Sequence, residues 1–494
     1  MPKTLFISPK EVRKKGVIKF RDIPVNSYDK SIEEEKANFS TGDFLRIYRD
    51  MAIIREFETM LNLIKITGEY NGIRYNHPGP AHLSIGQEAS AVGMAYMLET
   101  DDFIFGSHRS HGEILAKGLS AIQKLDDCRL LSIMESYLDG AVLKALEAGT
   151  ISIKWTDVKE KAVYFLLYGT LAEIFARETG FNKGLGGSMH AFFTPFGIYP
   201  NNAIVGGAAD IAVGSALFKK INRKKGMVVV NIGDGSLGCG PVWEAMCLAS
   251  MDQYAKLWEG EYRGGLPIIF NFINNQYGMG GQTSGETMGY GMLARVGAGV
   301  NPEQLHAERI DGYNPLAVID AFRRKKKIIE EKRGPVLLDT ITYRFSGHSP
   351  SDASSYRTKE EIEKWMANDS LVEYRNKLIK AGVAGDEEFI LENTRRIVAF
   401  VCRLATDDRI SPRMDLTGSP DSIGNFMFSN MRIEKMEDRE CEVLIPIEDN
   451  PRVRQISGKT RQGIVDGKPV PKNRVYQLRD GIFEALINKF YTDP

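Results

Sequence analysis

The sequence predicts an α/β protein: a parallel sheet with helices on both faces, enlarged by helical insertions and extensions. Three observations carry this reading. Runs such as "MVVVNI", "LPIIFNFI" and "PVLLDTITYRF" are apolar without polar alternation, as strands covered on both faces are. Helical stretches separate the runs, the order that a parallel sheet requires. Two of the runs lead into polar, glycine-rich segments, "GDGS" and "NNQYGMGG". Sheets of this class bind ligands beyond the carboxyl ends of their strands.

The elements follow in order. Residues 1–40 are polar and end in "SIEEEKANFS", an N-terminal arm. "TGDFLRIYRDMAIIREFETMLNLIKITGEY" has helical apolar spacing, with Thr41 as its N-cap. Residues 41–365 form the main domain, and a mostly helical insertion occupies about 123–170. That block, from "CRLLSIMESYLDGAVLKALEAGT" to "KAVYFLLYG", shows no catalytic signature. It suits a cap over an active-site entrance or an enlarged subunit interface. Then come the strand "MVVVNI" and the helix "PVWEAMCLASMDQYAKLW", with Pro241 in its first turn. The strand "LPIIFNFI", a short strand "AERI", a helix opening near Pro315 and the strand "PVLLDTITYRF" complete the pattern. Residues 366–450 read as a charged helical extension, and 451–494 as a linker followed by an apolar-striped helix.

Composition narrows the function classes. The chain has 494 residues with 64 basic and 64 acidic side chains, which argues against a nucleic-acid or other polyanion partner. The stretch "RRKKK" falls in the helix after Pro315 and reads as a solvated face. Five cysteines stand far apart with no CxxC pair, so neither a zinc site nor a disulfide framework is indicated. No apolar run is long enough for a membrane span, and no signal-peptide core is present. The expectation is a soluble cytoplasmic protein.

Asp234 and Asn275 each follow a strand directly. A Gly-Asp-Gly turn alone explains the first motif; a second such motif at another strand end asks for more. A carboxylate, an amide oxygen and a backbone carbonyl are hard oxygen ligands that suit Mg²⁺. Mg²⁺ completes its shell with phosphate oxygens and water, and flanking glycines let a diphosphate reach backbone N–H groups. Neither a GxxxxGK[ST] loop nor a GxGxxG after an early strand offers a nucleotide-binding alternative.

These motifs resemble the thiamine diphosphate signature. The segments "IREFE", "HLSIGQEASAVG", "SHRSHG", "GLGGSMH", "AIVGGAADIAVGSAL", "NNQYGMG" and "YRFSGHSPSDASSYRTKEEIEKW" are similar to the alpha subunit of the first component of 2-oxo acid dehydrogenase complexes. That family comprises the pyruvate, branched-chain and acetoin enzymes. The resemblance spans about 41–365. It implies Mg²⁺ held by Asp234, Asn275 and the Tyr277 carbonyl. It implies thiamine diphosphate contacted by Arg109, Val205, Gly206, Gly235, Ser236 and His348, with His348 and His82 as active-site histidines. It further implies decarboxylation of a 2-oxo acid and transfer of the acyl group to a lipoyl acyltransferase. The carboxylate that activates the cofactor then belongs to a beta-type subunit, and no segment here matches its surroundings.

His108 and His111 flank Arg109 and are metal ligands by type, but they lack a nearby partner carboxylate, so hydrogen bonding is expected. Gln87 and Glu88 are expected to tie their loop together. The chain also departs from the family. Asn275 follows Asp234 by 41 positions, a longer separation than usual, which places an insertion in "DQYAKLWEGEYRGG". Cys247 replaces a frequent asparagine and His108 a frequent tyrosine. The closing segment "NRVYQLRDGIFEALINKFYTDP" looks like the opening helix of a beta-subunit domain, so the partner is either a separate subunit or a downstream part of a fused chain. A carboligase without a lipoyl partner and a non-catalytic cofactor-binding assembly subunit are the competing readings.

Overall fold

Five parallel strands build the main sheet among the described residues: β1 (Phe103–Phe105), β2 (Val228–Gly233), β3 (Ile268–Asn274), β4 (His306–Asp311) and β5 (Val336–Ile341). Their spatial order is β1-β2-β3-β5-β4. The computed structural model describes residues 6–149, 157–285, 287–289, 291–383, 385, 387–427, 443, 445–466, 468–474 and 477–492. They fall into two compact units, Met1–Met414 and Asp415–Pro494.

In the first unit the principal helices are α1 (Thr41–Thr67), α2 (Glu88–Tyr96), α3 (His111–Lys124), α4 (Asp127–Ser136), α5 (Ala141–Ala148), α6 (Val158–Ile174), α7 (Gly207–Ile221), α8 (Gly240–Ala249) and α9 (Pro315–Glu330). Alternate residues of a strand face opposite sides, and here both sides are apolar. Ile104, Val229, Ile269 and Leu338 join a core with α1, α2, α3 and α9. Phe105, Val228, Val230, Phe270 and Phe272 join a second core with α7 and α8. Burying each of these larger side chains contributes about 1.5–3 kcal/mol. The insertion helices α4, α5 and α6 pack into the first of these cores.

Polar side chains enter the sheet near its carboxyl edge, where they satisfy one another. Asn271 donates to Asn231 Oδ1 at 2.8 Å and Thr340 donates to Asn271 Oδ1 at 2.6 Å. Asn274 donates to Asp339 at 2.7 Å, and Arg309 donates to the other oxygen of Asp339 at 2.7 Å. This network joins β2, β3, β4 and β5 just below the segments that leave the sheet.

Three local features differ from the sequence reading. The α1 N-cap is Ser40, one residue before Thr41. Its hydroxyl accepts from Asp43 N while the Asp43 carboxylate accepts from Ser40 N, a reciprocal capping box. The helix expected over "PVWEAMCLASMDQYAKLW" ends at Ala249, and a separate turn follows at Gln253–Lys256. Asn301 donates to the Ser250 carbonyl at 2.8 Å, taking the acceptor that a continuing helix would use. Strand β1 was not anticipated, because three residues are too few for a period to emerge.

Where the sequence reads as a linker, the second unit instead contains a short helix, Pro451–Ser457, and an antiparallel ribbon, Thr460–Val465 with Lys468–Arg474, ahead of the helix Leu478–Thr492. Lys459 Nζ pairs with the Asp480 carboxylate at 2.7 Å. No helix among the described residues is long and apolar enough to cross a membrane.

Candidate active site

β2 and β3 are neighbours in parallel register, with Gly233 opposite Ile273, so the chain leaves both strands into one space. A cavity of about 380 Å³ opens there. After β2 the chain tightens into a 3₁₀ turn, Asp234–Gly238, and Asp234 is 1 % exposed. Its carboxylate accepts from Thr283 Oγ1 at 2.5 Å. Burial outweighs this bond and others from the backbone of Asp234 and Asn275, and pushes the acid up to about 7. Asn275 follows β3 and is also buried; its Oδ1 accepts from Tyr277 N at 3.2 Å. The Tyr277 hydroxyl donates to Glu361 at 2.7 Å, and Arg344 donates to the Gly278 carbonyl at 2.9 Å. Together they fix the loop that carries the two later oxygen donors.

The opposite wall is cationic. Arg109 is buried, donating to Leu83 O at 2.7 Å and to His348 O at 2.8 Å. Burial, then the Arg344 charge, lowers its guanidinium to about 9, so it remains protonated at neutral pH. Among the described residues no carboxylate forms an ion pair with it. His82, His108 and His348 converge beside it, with ring centroids 4.7, 5.0 and 5.3 Å apart. Burial and the Arg109 charge depress all three, to about 3, 2 and 4 respectively, and so they are neutral. Buried His82 Nδ1 and His108 Nε2 have no hydrogen-bond partner. Three imidazoles this close match a transition-metal site by residue type. The adjacent guanidinium disfavours a cation and favours an anion.

His348 is held by its own loop. Its N–H donates to Asp352 Oδ2 at 2.6 Å, while Ser354 N and the Tyr356 hydroxyl donate to the same carboxylate at 2.9 and 2.6 Å. Burial would raise Asp352, but these bonds prevail and hold it at about 2.

The cavity is bordered by nine of the ten residues expected from the sequence: His82, Arg109, Val205, Asp234, Gly235, Ser236, Asn275, Tyr277 and His348. Gly206, at φ +83°, caps α7 and borders a small adjoining recess with Val205 and Ser236. His111 turns away from the cavity. Its Nδ1 lies 2.9 Å from Glu58 Oε1 and its Nε2 lies 2.9 Å from Ser188 Oγ, all buried. It hydrogen-bonds as expected, but it does have a carboxylate partner, supplied by α1 from 53 residues earlier. Glu88 ties its loop as expected, accepting from Gly86 N at 3.0 Å and pairing with Arg55 at 2.6 Å. Gln87 borders the cavity instead, with Nε2 unpartnered.

One cavity residue escaped the sequence reading. Glu113 is 6 % exposed, borders the cavity and leaves Oε2 unpartnered. Burial pushes it up to about 7. In sequence it reads as a polar residue in the first turn of a helix, where acids are common.

A parallel sheet that gathers an acid, an amide and a buried arginine around one cavity beyond its strand ends places the chain among α/β enzymes that bind a ligand at that edge. The chain belongs to the dehydrogenase E1 component family, whose profile matches residues 60–130 and 145–408. It is 28 % identical over 370 residues to the pyruvate dehydrogenase E1 component subunit alpha of Rickettsia prowazekii, covering 74 % of this chain and 92 % of that one. Over 375 residues it is 28 % identical to the subunit of the same name from Rhizobium meliloti, covering 75 % and 88 %. It is also 28 % identical over 433 residues to the mitochondrial subunit alpha of Schizosaccharomyces pombe, covering 87 % and 86 %. The chain is therefore an alpha-type component of a thiamine diphosphate-dependent 2-oxo acid dehydrogenase.

Proposed function

We propose that this chain binds the diphosphate end of thiamine diphosphate through Mg²⁺, and that it completes its active site with a beta-type partner. The observation that carries the reading is the pairing of an uncompensated acid with an uncompensated cation across one cavity. Asp234 is almost fully buried with its acid pushed up to about 7, and Arg109 is buried with no carboxylate at ion-pair distance among the described residues. A Mg²⁺–diphosphate pair would answer both at once. Asp234, Asn275 and the Tyr277 carbonyl supply oxygen ligands to the ion. Arg109 and the neutral imidazoles of His82, His108 and His348 supply donors to the diphosphate. A Cβ at Gly235 would meet Gly278 Cα at 3.4 Å, so a larger residue would fill the space beside the ligands.

When bound, thiamine diphosphate supplies the electron sink for decarboxylating a 2-oxo acid. This chain's residues fix the cofactor's charged end, and the apolar wall around Val205 and Ile232 limits water. His82 and His348 are neutral, and each can donate or accept a hydrogen bond beside the cofactor. The acyl group then passes to a lipoyl acyltransferase. The activating carboxylate comes from the beta-type chain, either a separate subunit or a downstream part of one chain. The cysteines among the described residues are unpaired and widely spaced, which supports a reducing compartment, the cytoplasm.

The test is CO₂ release from a panel of 2-oxo acids with Mg²⁺ and thiamine diphosphate, with and without a co-expressed beta-type partner. Turnover only in the assembled complex supports the reading. Robust turnover by this chain alone would overturn the partner requirement and make Glu113 the first residue to examine as its activating carboxylate.

A further inference from the structure

We infer that Glu113 and Gln87 form a recognition subsite for a 2-oxo acid whose side chain ends in a neutral group that both donates and accepts hydrogen bonds, such as a hydroxyl. This deepens the proposed function and rests on it. Both side chains are over nine-tenths buried, both border the cavity, and each leaves one polar atom without a partner, Glu113 Oε2 and Gln87 Nε2. An acid serving only to cap α3 would stand at the surface; Glu113 hydrogen-bonds its own backbone and still leaves one oxygen unspent.

The chemistry of the two atoms selects the ligand. Gln87 Nε2 is a donor and needs an acceptor; Glu113 Oε2, as carboxylate, needs a donor. An aliphatic chain offers neither and would seal both atoms away from water. An ammonium group cannot accept from Gln87, and Arg109 would repel it. A second carboxylate accepts from Gln87 but meets Glu113 as a like charge once that acid ionises, above about pH 7. A hydroxyl offers both a donor and an acceptor. Sites built to hydrogen-bond a substrate hydroxyl reject the analogue that lacks it, because their own buried groups are left unpaired.

The experiment uses the complex assembled with its beta-type partner, Mg²⁺ and thiamine diphosphate, and near-isosteric pairs of acids. These are 4-hydroxy-2-oxobutyrate against 2-oxovalerate, and 5-hydroxy-2-oxovalerate against 2-oxohexanoate. Two readouts are taken: kcat/KM for CO₂ release, and dissociation constants for the corresponding 2-hydroxy acids, which cannot be decarboxylated. The expected result is a preference of about tenfold or more for the hydroxylated member of at least one pair in both readouts. Glu113→Leu reverses the preference and Glu113→Gln keeps part of it, with cofactor affinity unchanged in each. Should Glu113→Leu not fold, Gln87→Leu provides the same comparison. Equal handling of both members, preference for the aliphatic acids, or a variant that weakens both members alike would overturn the subsite. Failure of the proposed function looks different: no 2-oxo acid releases CO₂, while the non-reactive acids still report on the subsite.

Discussion

The two edges of the parallel sheet use buried polar groups in opposite ways. At the amino edge, Asp102 accepts from Glu99 N at 2.8 Å and from Met227 N at 2.7 Å. Lys117 donates to Glu99 O at 2.6 Å, and Lys219 donates to Asp101 O and Lys225 O at 2.7 and 2.8 Å. These groups are committed to closing the chain on itself. At the carboxyl edge, His82, His108, Gln87 and Glu113 leave buried polar atoms unpartnered, while Arg109 and Asp234 form no ion pair among the described residues. A cleft of about 520 Å³ at the amino edge, among the lysines, exceeds the cavity of about 380 Å³ at the carboxyl edge. Size therefore does not locate the site; unspent hydrogen-bonding capacity does.

The largest effect is expected at Asp234. Asp234→Asn preserves shape but removes the charge, and should weaken Mg²⁺–thiamine diphosphate binding at least about a hundredfold. Calorimetry reads this. The same change relieves a desolvated acid, so the ligand-free protein should be no less stable than wild type. A variant that binds normally would break the comparison at its strongest point.

Glu113→Gln sharpens it through pH. The folded acid titrates at about 7 against an ordinary value of 4.5, raised by burial, with Glu58 adding to the shift and His111 and Arg109 opposing it. Its contribution is fully present below pH 4.5 and is lost as pH rises through 7. Relative to wild type, the ligand-free variant should gain stability across that window, by on the order of 3 kcal/mol. Thermal unfolding between pH 4 and 8 checks this; parallel pH profiles would refute it.

At the amino edge, Asp102→Ala should cost about 2 kcal/mol of stability by orphaning the buried Met227 N–H and freeing the partly buried Glu99 N–H, with cofactor affinity unchanged. Denaturant unfolding and calorimetry separate the two. The smallest effect is expected from Ser349→Glu. Ser349 adjoins His348 and its hydroxyl lies 3.1 Å from Ser351 Oγ. A negative charge here should lower diphosphate affinity about tenfold, about 1.4 kcal/mol.

Much of this architecture is written locally in the chain. Strands β2, β3 and β5 show as apolar runs because each is covered on both sides, and Asp234 and Asn275 are legible because they end such runs. The pairings that complete the site are not local. Glu58 reaches His111 from another helix, and whether Glu113 faces water or a cavity depends on how α3 is rotated against the sheet. A glutamate in a first helical turn carries the same sequence signal either way. Strand β1 is equally quiet in sequence: Phe103 N donates to Met227 O at 2.9 Å, so a partner over a hundred residues away completes its edge.

The loop between Asp234 and Asn275 has a further consequence at its far end. Gly265 N donates to Lys332 O at 2.9 Å, and a Cβ on Gly265 would meet Gly334 Cα at 1.9 Å. The chain is thus clamped, backbone against backbone, just before β3 begins. Gly264, at φ +116°, also donates to Tyr254 O at 2.8 Å, folding the preceding segment back upon itself. Changes in length upstream of this clamp are absorbed before they reach the strand, so Asn275 keeps its register beside Asp234. The segment behaves as a detachable module: evolution can lengthen, trim or repurpose it for new contacts without renegotiating the chemistry at the other end of the sheet.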